Sequence, residues 1–137
     1  MGLYLCLFNG DEELDGMDVG SYADFNFFRN AVTDLLEDGI PGNKYPTLIL
    51  HSDCDGVWNP SQCIELESEL RSITAAFQEI PPFEFHAEWQ KGVATSLGLR
   101  PMNLNDSFID VDGEPLLERL SKLCQMAQDR DQPILFQ

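Results

Sequence analysis

The stretch Pro46-Thr47-Leu48-Ile49-Leu50-His51-Ser52-Asp53-Cys54-Asp55-Gly56-Val57-Trp58 constrains the chain more than any other. Its apolar, β-branched start predicts a short buried strand. The run breaks into an acidic turn closed by Gly56, and Asn59-Pro60-Ser61 launches a helix directly behind it. A second acidic turn, Asp110-Val111-Asp112-Gly113, repeats this local pattern, again with a helix behind it. Carboxylates and a glycine at a helix entrance can hold function; they are also a common way to turn a corner.

Helical spacing lays out much of the rest. Ser21 is a good N-cap with Asp24 three residues on, and Tyr22, Phe25, Phe28, Val32 and Leu35 form an apolar stripe that Gly39, Pro41 and Gly42 end. From about Pro60 to Phe77 a second helix buries Cys63, Leu66, Leu70, Ile73 and Phe77, leaving Glu65, Glu67, Glu69 and Arg71 on a solvated face. Pro81-Pro82 then breaks the chain into an extended piece, Phe83-Glu84-Phe85. A weaker helix from about Ala87 to Leu97 carries Trp89, Val93 and Leu97, with Gly98 as its C-terminal cap. The clearest helix follows Pro115, with Leu116, Leu117, Leu120, Leu123, Cys124 and Ala127 on one side and Glu118, Arg119, Lys122 and Arg130 on the other.

Strands are expected at Leu3 to Phe8 and at Ile134-Leu135-Phe136, and Asn9 to Gly16 reads as a turn or loop. Asp106 to Asp110 fits a strand or a linking coil. The order predicts an α+β fold, a small mixed β-sheet packed against about four helices, in one domain spanning residues 1–137. A doubly wound fold fits less well, since no glycine-rich phosphate loop joins the first strand to the first helix.

At 137 residues, 43% of them apolar, the chain can bury a real core, and no apolar run is long enough to span a bilayer. The start lacks the basic region and cleavage site of a signal peptide, so the expected location is cytoplasmic. Cys6, Cys54, Cys63 and Cys124 include no C-x-x-C pair; reduced thiols are expected, with Cys6 and Cys124 in the core. Charge is the strongest compositional signal. Twenty-four acids against eight bases give −16, and six acids precede the first base, Arg29. Such a surface repels nucleic acid and anionic lipid and draws in basic partners.

Three chemistries can be weighed on the residues. The two D-x-D-G turns invite a calcium reading, but an EF-hand loop needs glycine sixth and a bidentate glutamate twelfth. Placing Gly56 or Gly113 sixth puts Gln62 or Arg119 twelfth, so neither turn is an EF-hand, and a site of another design stays open. His51, Cys54, Cys63 and His86 could supply zinc ligands, though in no compact zinc spacing. A small hydrolase would centre on His51 with Asp53 and Asp55, or on Asp110 and Asp112; Ser52 and Cys54 are its nominal nucleophiles. No G-x-S-x-G, H-E-x-x-H or Walker pattern supports it. Trp58 reads either as an interface anchor or as a lid on the core.

Three blocks carry a further signal. They are Gly2-Leu3-Tyr4-Leu5-Cys6 through Gly20-Ser21-Tyr22-Ala23-Asp24-Phe25 to Phe28-Arg29; Pro46-Thr47-Leu48 with His51-Ser52-Asp53-Cys54-Asp55-Gly56 and Trp58-Asn59-Pro60; and Asp110-Val111-Asp112-Gly113-Glu114-Pro115-Leu116-Leu117-Glu118-Arg119-Leu120 with Gln132-Pro133-Ile134-Leu135-Phe136-Gln137. In order and over nearly the whole chain, they resemble the immunity protein 70 family of bacterial polymorphic toxin systems. The resemblance implies a small cytoplasmic protein that binds and neutralises a cognate toxin, with no enzymatic activity, cofactor or metal. It assigns no role to any single residue. Charge density then suggests a contact surface of Asp11, Glu12, Glu13, Asp15, Asp18, Asp53, Asp55, Asp110 and Asp112 for a basic toxin, such as a nuclease, with Trp58 added as its aromatic anchor.

Overall fold

A computed structural model describes residues 2–52 and 54–137. Strand β1 (Gly2–Asn9) turns on Gly10-Asp11 and returns as β2 (Glu12–Ser21). Gly10 takes φ +64°, the backbone that a two-residue hairpin turn needs at its first position. Most of the expected loop at Asn9 to Gly16 is therefore strand. The acidic letters hide an alternation: Met17 and Val19 enter the core, and Asp15, on the same face, is neutralised by Arg119 from the far end of the chain.

Helix α1 (Tyr22–Leu36) begins as the sequence predicts. Ser21 Oγ accepts from the Asp24 amide at 3.0 Å, and Asp24 Oδ2 accepts from the Ser21 amide at 2.8 Å. Phe25, Phe28 and Val32 are buried, whereas Leu35 is exposed.

The predicted strand at Pro46 is instead a single helical turn, α2 (Pro46–Ile49). Its stability is not local. Glu69 accepts from the Thr47 and Leu48 amides at 3.1 and 3.0 Å, so a carboxylate satisfies the free N–H groups of the first turn. At the other end Arg29 donates to the carbonyls of Leu48, Ile49 and His51. Glu69 is thus an anchor for α2 and not only part of a solvated face.

After α2 come the short strand β3 (Val57–Trp58) and α3 (Pro60–Phe77), capped by Asn59 and Gln62 and burying the five residues expected of it. Phe83-Glu84-Phe85 forms no strand. Helix α4 (Glu88–Leu97) ends on Gly98 at φ +69°. A 3-10 turn (Leu104–Ser107) precedes an isolated bridge between Ile109 and Pro115. Helix α5 (Leu116–Arg130) buries all six residues of its predicted stripe, and β4 (Ile134–Phe136) follows.

The sheet order is β2-β1-β4-β3, with every pairing antiparallel. The α+β class holds, with five α-helices among the described residues. The sheet is not mixed, because β4 inserts between β1 and β3, which run the same way and would otherwise be parallel neighbours. Leu3, Leu5 and Leu7 of β1 pack with Met17, Trp58, Ile134 and Phe136 under the apolar faces of α1, α3 and α5. Cys6 and Cys124 are buried, as expected, and so is Cys63.

Candidate functional site

The fold separates the acidic residues that sequence alone groups together. Asp11, Glu12 and Glu13 are exposed at the tip of the β1–β2 hairpin. Asp18 pairs across from Tyr4 near the other end of β2, about 20 Å along the strand from Glu12. Its Oδ1 accepts from the Gly20 amide, and its carbonyl accepts from the Val111 amide at 2.9 Å, which brings the Asp110–Gly113 turn to this end. Asp112, exposed, comes with it. Asp55 is exposed beside β3, on the opposite edge of the sheet and about 14 Å across the intervening strands. Asp53 lies outside the described residues.

Three expected contact residues are not available in the way the sequence suggests. Trp58 is fully buried, donating its indole N–H to the Thr47 carbonyl at 3.0 Å and packing edge-on against Phe136. Asp110 is 1% exposed; its Oδ1 accepts from the Asp112 and Glu114 amides at 2.9 Å, while its buried Oδ2 has no partner. Burial pushes this carboxyl above its ordinary value against those two bonds. Asp15 is half-buried and clamped by Arg119 through bonds of 2.8 and 2.7 Å. The Arg119 guanidinium holds its carboxyl below the usual carboxylate range.

The rival chemistries fare differently from their sequence pictures. His51 directs Nδ1 to the Ser52 carbonyl and Nε2 to the Val57 carbonyl, each at 2.8 Å, with its ring stacked 4.3 Å from Phe136. It laces the acidic loop to β3, and neither nitrogen faces the Ser52 hydroxyl or the Cys54 thiol. The imagined zinc set is dispersed: Cys63 is buried on α3, and His86 stacks on Phe27 at 4.1 Å. Among the described residues, no three His, Cys, Asp or Glu side chains converge as a metal site.

What the fold does assemble is a groove beside α4. Gln90 and Ala94 face inward there, leaving Trp89 and Val93 half-exposed and Leu97 exposed. Trp89 and Val93 meet Asp18, Gly20, Asp24 and Val111 in an open recess of about 570 Å³. It continues past Leu97 and Asp112 into a second recess of about 460 Å³. Asp24 fixes one wall. Its Oδ2 accepts from the Trp89 indole at 3.0 Å and from the Ser21 amide, and its Oδ1 lies 3.5 Å from His86 Nε2. Burial alone would raise the Asp24 carboxyl, but the Ser21 and Trp89 hydrogen bonds and the His86 ring outweigh it and hold it below the ordinary value.

On the sequence alone Trp89, Val93 and Leu97 share a weak helix, and nothing in their spacing links them to Val111 and Asp18. A signal was present. Ten residues of α4 carry only those three large apolar side chains, all on one stripe, and the Gly20 and Gly113 positions need to stay bare for that stripe to approach.

Among the described residues, no helix is long and apolar enough to cross a membrane. No curated protein and no solved structure matches the chain. The model of one family, Immunity protein 70, matches residues 3–136, nearly the whole length. On that match, the chain belongs to the immunity protein 70 family.

Proposed function

We propose that this immunity protein neutralises a basic toxin of a polymorphic system in the cytoplasm, by stoichiometric binding and without breaking a bond. The family carries the coarser statement, an immunity protein that neutralises a toxin. The observation that carries the finer one is charge: −16 on 137 residues, with Asp11, Glu12, Glu13, Asp18, Asp55 and Asp112 all exposed. A nuclease toxin must present a basic cleft to phosphate, and an acidic protein competes for that cleft. Opposite charge speeds encounter, while a few desolvated contacts set the lifetime. The hairpin tip is the steering element in this reading. Residues 1–137 act as one domain.

The experiment pairs the protein with the toxin domain encoded by the neighbouring gene. Co-expression should restore growth, and calorimetry should give one-to-one binding whose association rate falls steeply with salt. Reversal of Asp11, Glu12 and Glu13 to lysine should slow association about tenfold and change dissociation little. Turnover of the toxin or of a small substrate by the purified protein would overturn the reading, as would failure to bind that toxin domain.

A further inference from the structure

We propose that the groove between α4, the β2–α1 junction and the Asp110–Gly113 turn is the docking site for an arginine-bearing, apolar-flanked segment of the toxin. The inference rests on the function proposed above and assigns the contact that holds the partner after encounter.

Charge complementarity identifies the occupant. The groove combines an aromatic face and aliphatic walls (Trp89, Val93, Val111) with the carboxylates of Asp18, Asp24 and Asp112, and among the described residues no lysine, arginine or histidine lines either of its two recesses. Other recesses differ. The crevice between α3 and α5 sets Arg71 among Glu67 and Glu118, and the hollows on the far side of α4 contain Lys91. Asp24 is already engaged by Trp89, Ser21 and His86, whereas Asp18 and Asp112 have no cationic partner among the described residues. A guanidinium satisfies this arrangement better than an ammonium. It can lie over an indole face while its fork reaches a carboxylate, and its methylene stem covers aliphatic walls.

The groove is also held in shape before any partner arrives, which lowers the ordering cost of binding. Its walls come from three separate segments tied by the Trp89–Asp24 and Val111–Asp18 hydrogen bonds. Two glycines set the spacing. A Cβ on Gly20 would lie 2.7 Å from Trp89 Cζ2 and from Asp24 Oδ2, and one on Gly113 would collide with Leu97 Cδ1. Both glycines have positive φ, at +94° and +82°.

The test uses the full chain and an inactivated variant of the neighbouring gene's toxin domain, with affinity measured by calorimetry and rates by a surface-biosensor assay. Asp18→Lys with Asp112→Lys should weaken binding about 100-fold, mostly through faster dissociation. Val111→Lys alone should weaken it about tenfold. The control is Asp34→Lys with Asp129→Lys, the same charge change on exposed sites near the far ends of α1 and α5, which should change affinity less than about threefold. Circular dichroism checks that each variant folds.

Nuclear magnetic resonance adds an internal comparison. The Trp89 indole N–H resonance should shift on complex formation and that of buried Trp58 should not. Equal loss from groove and control reversals would overturn the docking site while leaving toxin binding intact. So would groove variants that alter only self-association. If the wild type fails to bind the toxin domain at all, the docking site falls together with the function it rests on.

Discussion

The two tryptophans make opposite uses of one chemistry. Trp58 donates its indole N–H to a main-chain carbonyl and is covered by Phe136, His51 and α3. Trp89 donates to the Asp24 carboxylate and keeps part of its ring open beside Val93 and Val111. Both polar atoms are satisfied, so hydrogen bonding does not separate the sites. Cover does. The Trp58 end is closed over and the Trp89 end is left open, although proximity to an acidic turn in sequence points to Trp58.

The largest test of that contrast is truncation. Trp58→Ala should destabilise the fold by about 3–5 kcal/mol and Trp89→Ala by only about 1–2, read as urea midpoints. Equal costs would erase the distinction. Next come the glycines that flank each ring. Gly20→Ala should cost about 2–3 kcal/mol, since a methyl there meets Trp89 and Asp24 at 2.7 Å as well as an unfavourable φ. Gly56→Ala, at φ +88° with His51 no nearer than 3.4 Å, should cost about 1 kcal/mol, the backbone term alone.

A smaller effect tests how the Trp58 end is supported. Glu69→Gln removes one of the two oxygens that hold the α2 amides, and should cost about 1 kcal/mol. Because Thr47 supplies the carbonyl that Trp58 bonds, the near-ultraviolet dichroism of Trp58 should weaken too. Unchanged stability and spectrum would mean that α2 stands without its carboxylate.

The smallest effect is one of sign. The carboxyls of Asp15, Asp24 and Glu37 are held low in the folded protein, so their contribution is present above about pH 4 and is lost as pH falls through their folded values. Asp110 is raised, so its contribution is complete below about pH 4 and disappears as pH rises through its folded value. Asp110→Asn keeps the oxygen that accepts from Asp112 and Glu114 and removes the charge. Its stability relative to wild type should therefore increase between about pH 4 and 7. A relative stability that falls over that range would show that Asp110 is held as a favoured anion.

Legibility in the sequence tracked how local each cause was. Helices α1, α3 and α5 could be read with their buried faces, and α1 and α3 with their starts, because Ser21 with Asp24, Pro60, and the leucine stripe from Leu116 act within a few residues. Helix α2 could not, since Glu69 and Arg29 hold it from 21 and 19 residues away. Strand β2 was hidden for the same reason: an aspartate facing the core reads as loop until Arg119 arrives, 104 residues on. Asp110 and Asp112 look alike as letters, yet the amides of one turn draw the first inward and leave the second in water. The groove needed three distant segments, and no spacing along the chain encodes it.

The placement of β4 between β1 and β3 has a consequence for biosynthesis. On the ribosome, the β1–β2 hairpin can close early, but β3 has no neighbouring strand until Ile134–Phe136 leave the exit tunnel. Nascent chains arrested before Ile134 should therefore show protease cleavage around Trp58 while the hairpin resists, and emergence of Ile134–Phe136 should abolish the difference. The strand that closes this sheet is the one translated after its three partners.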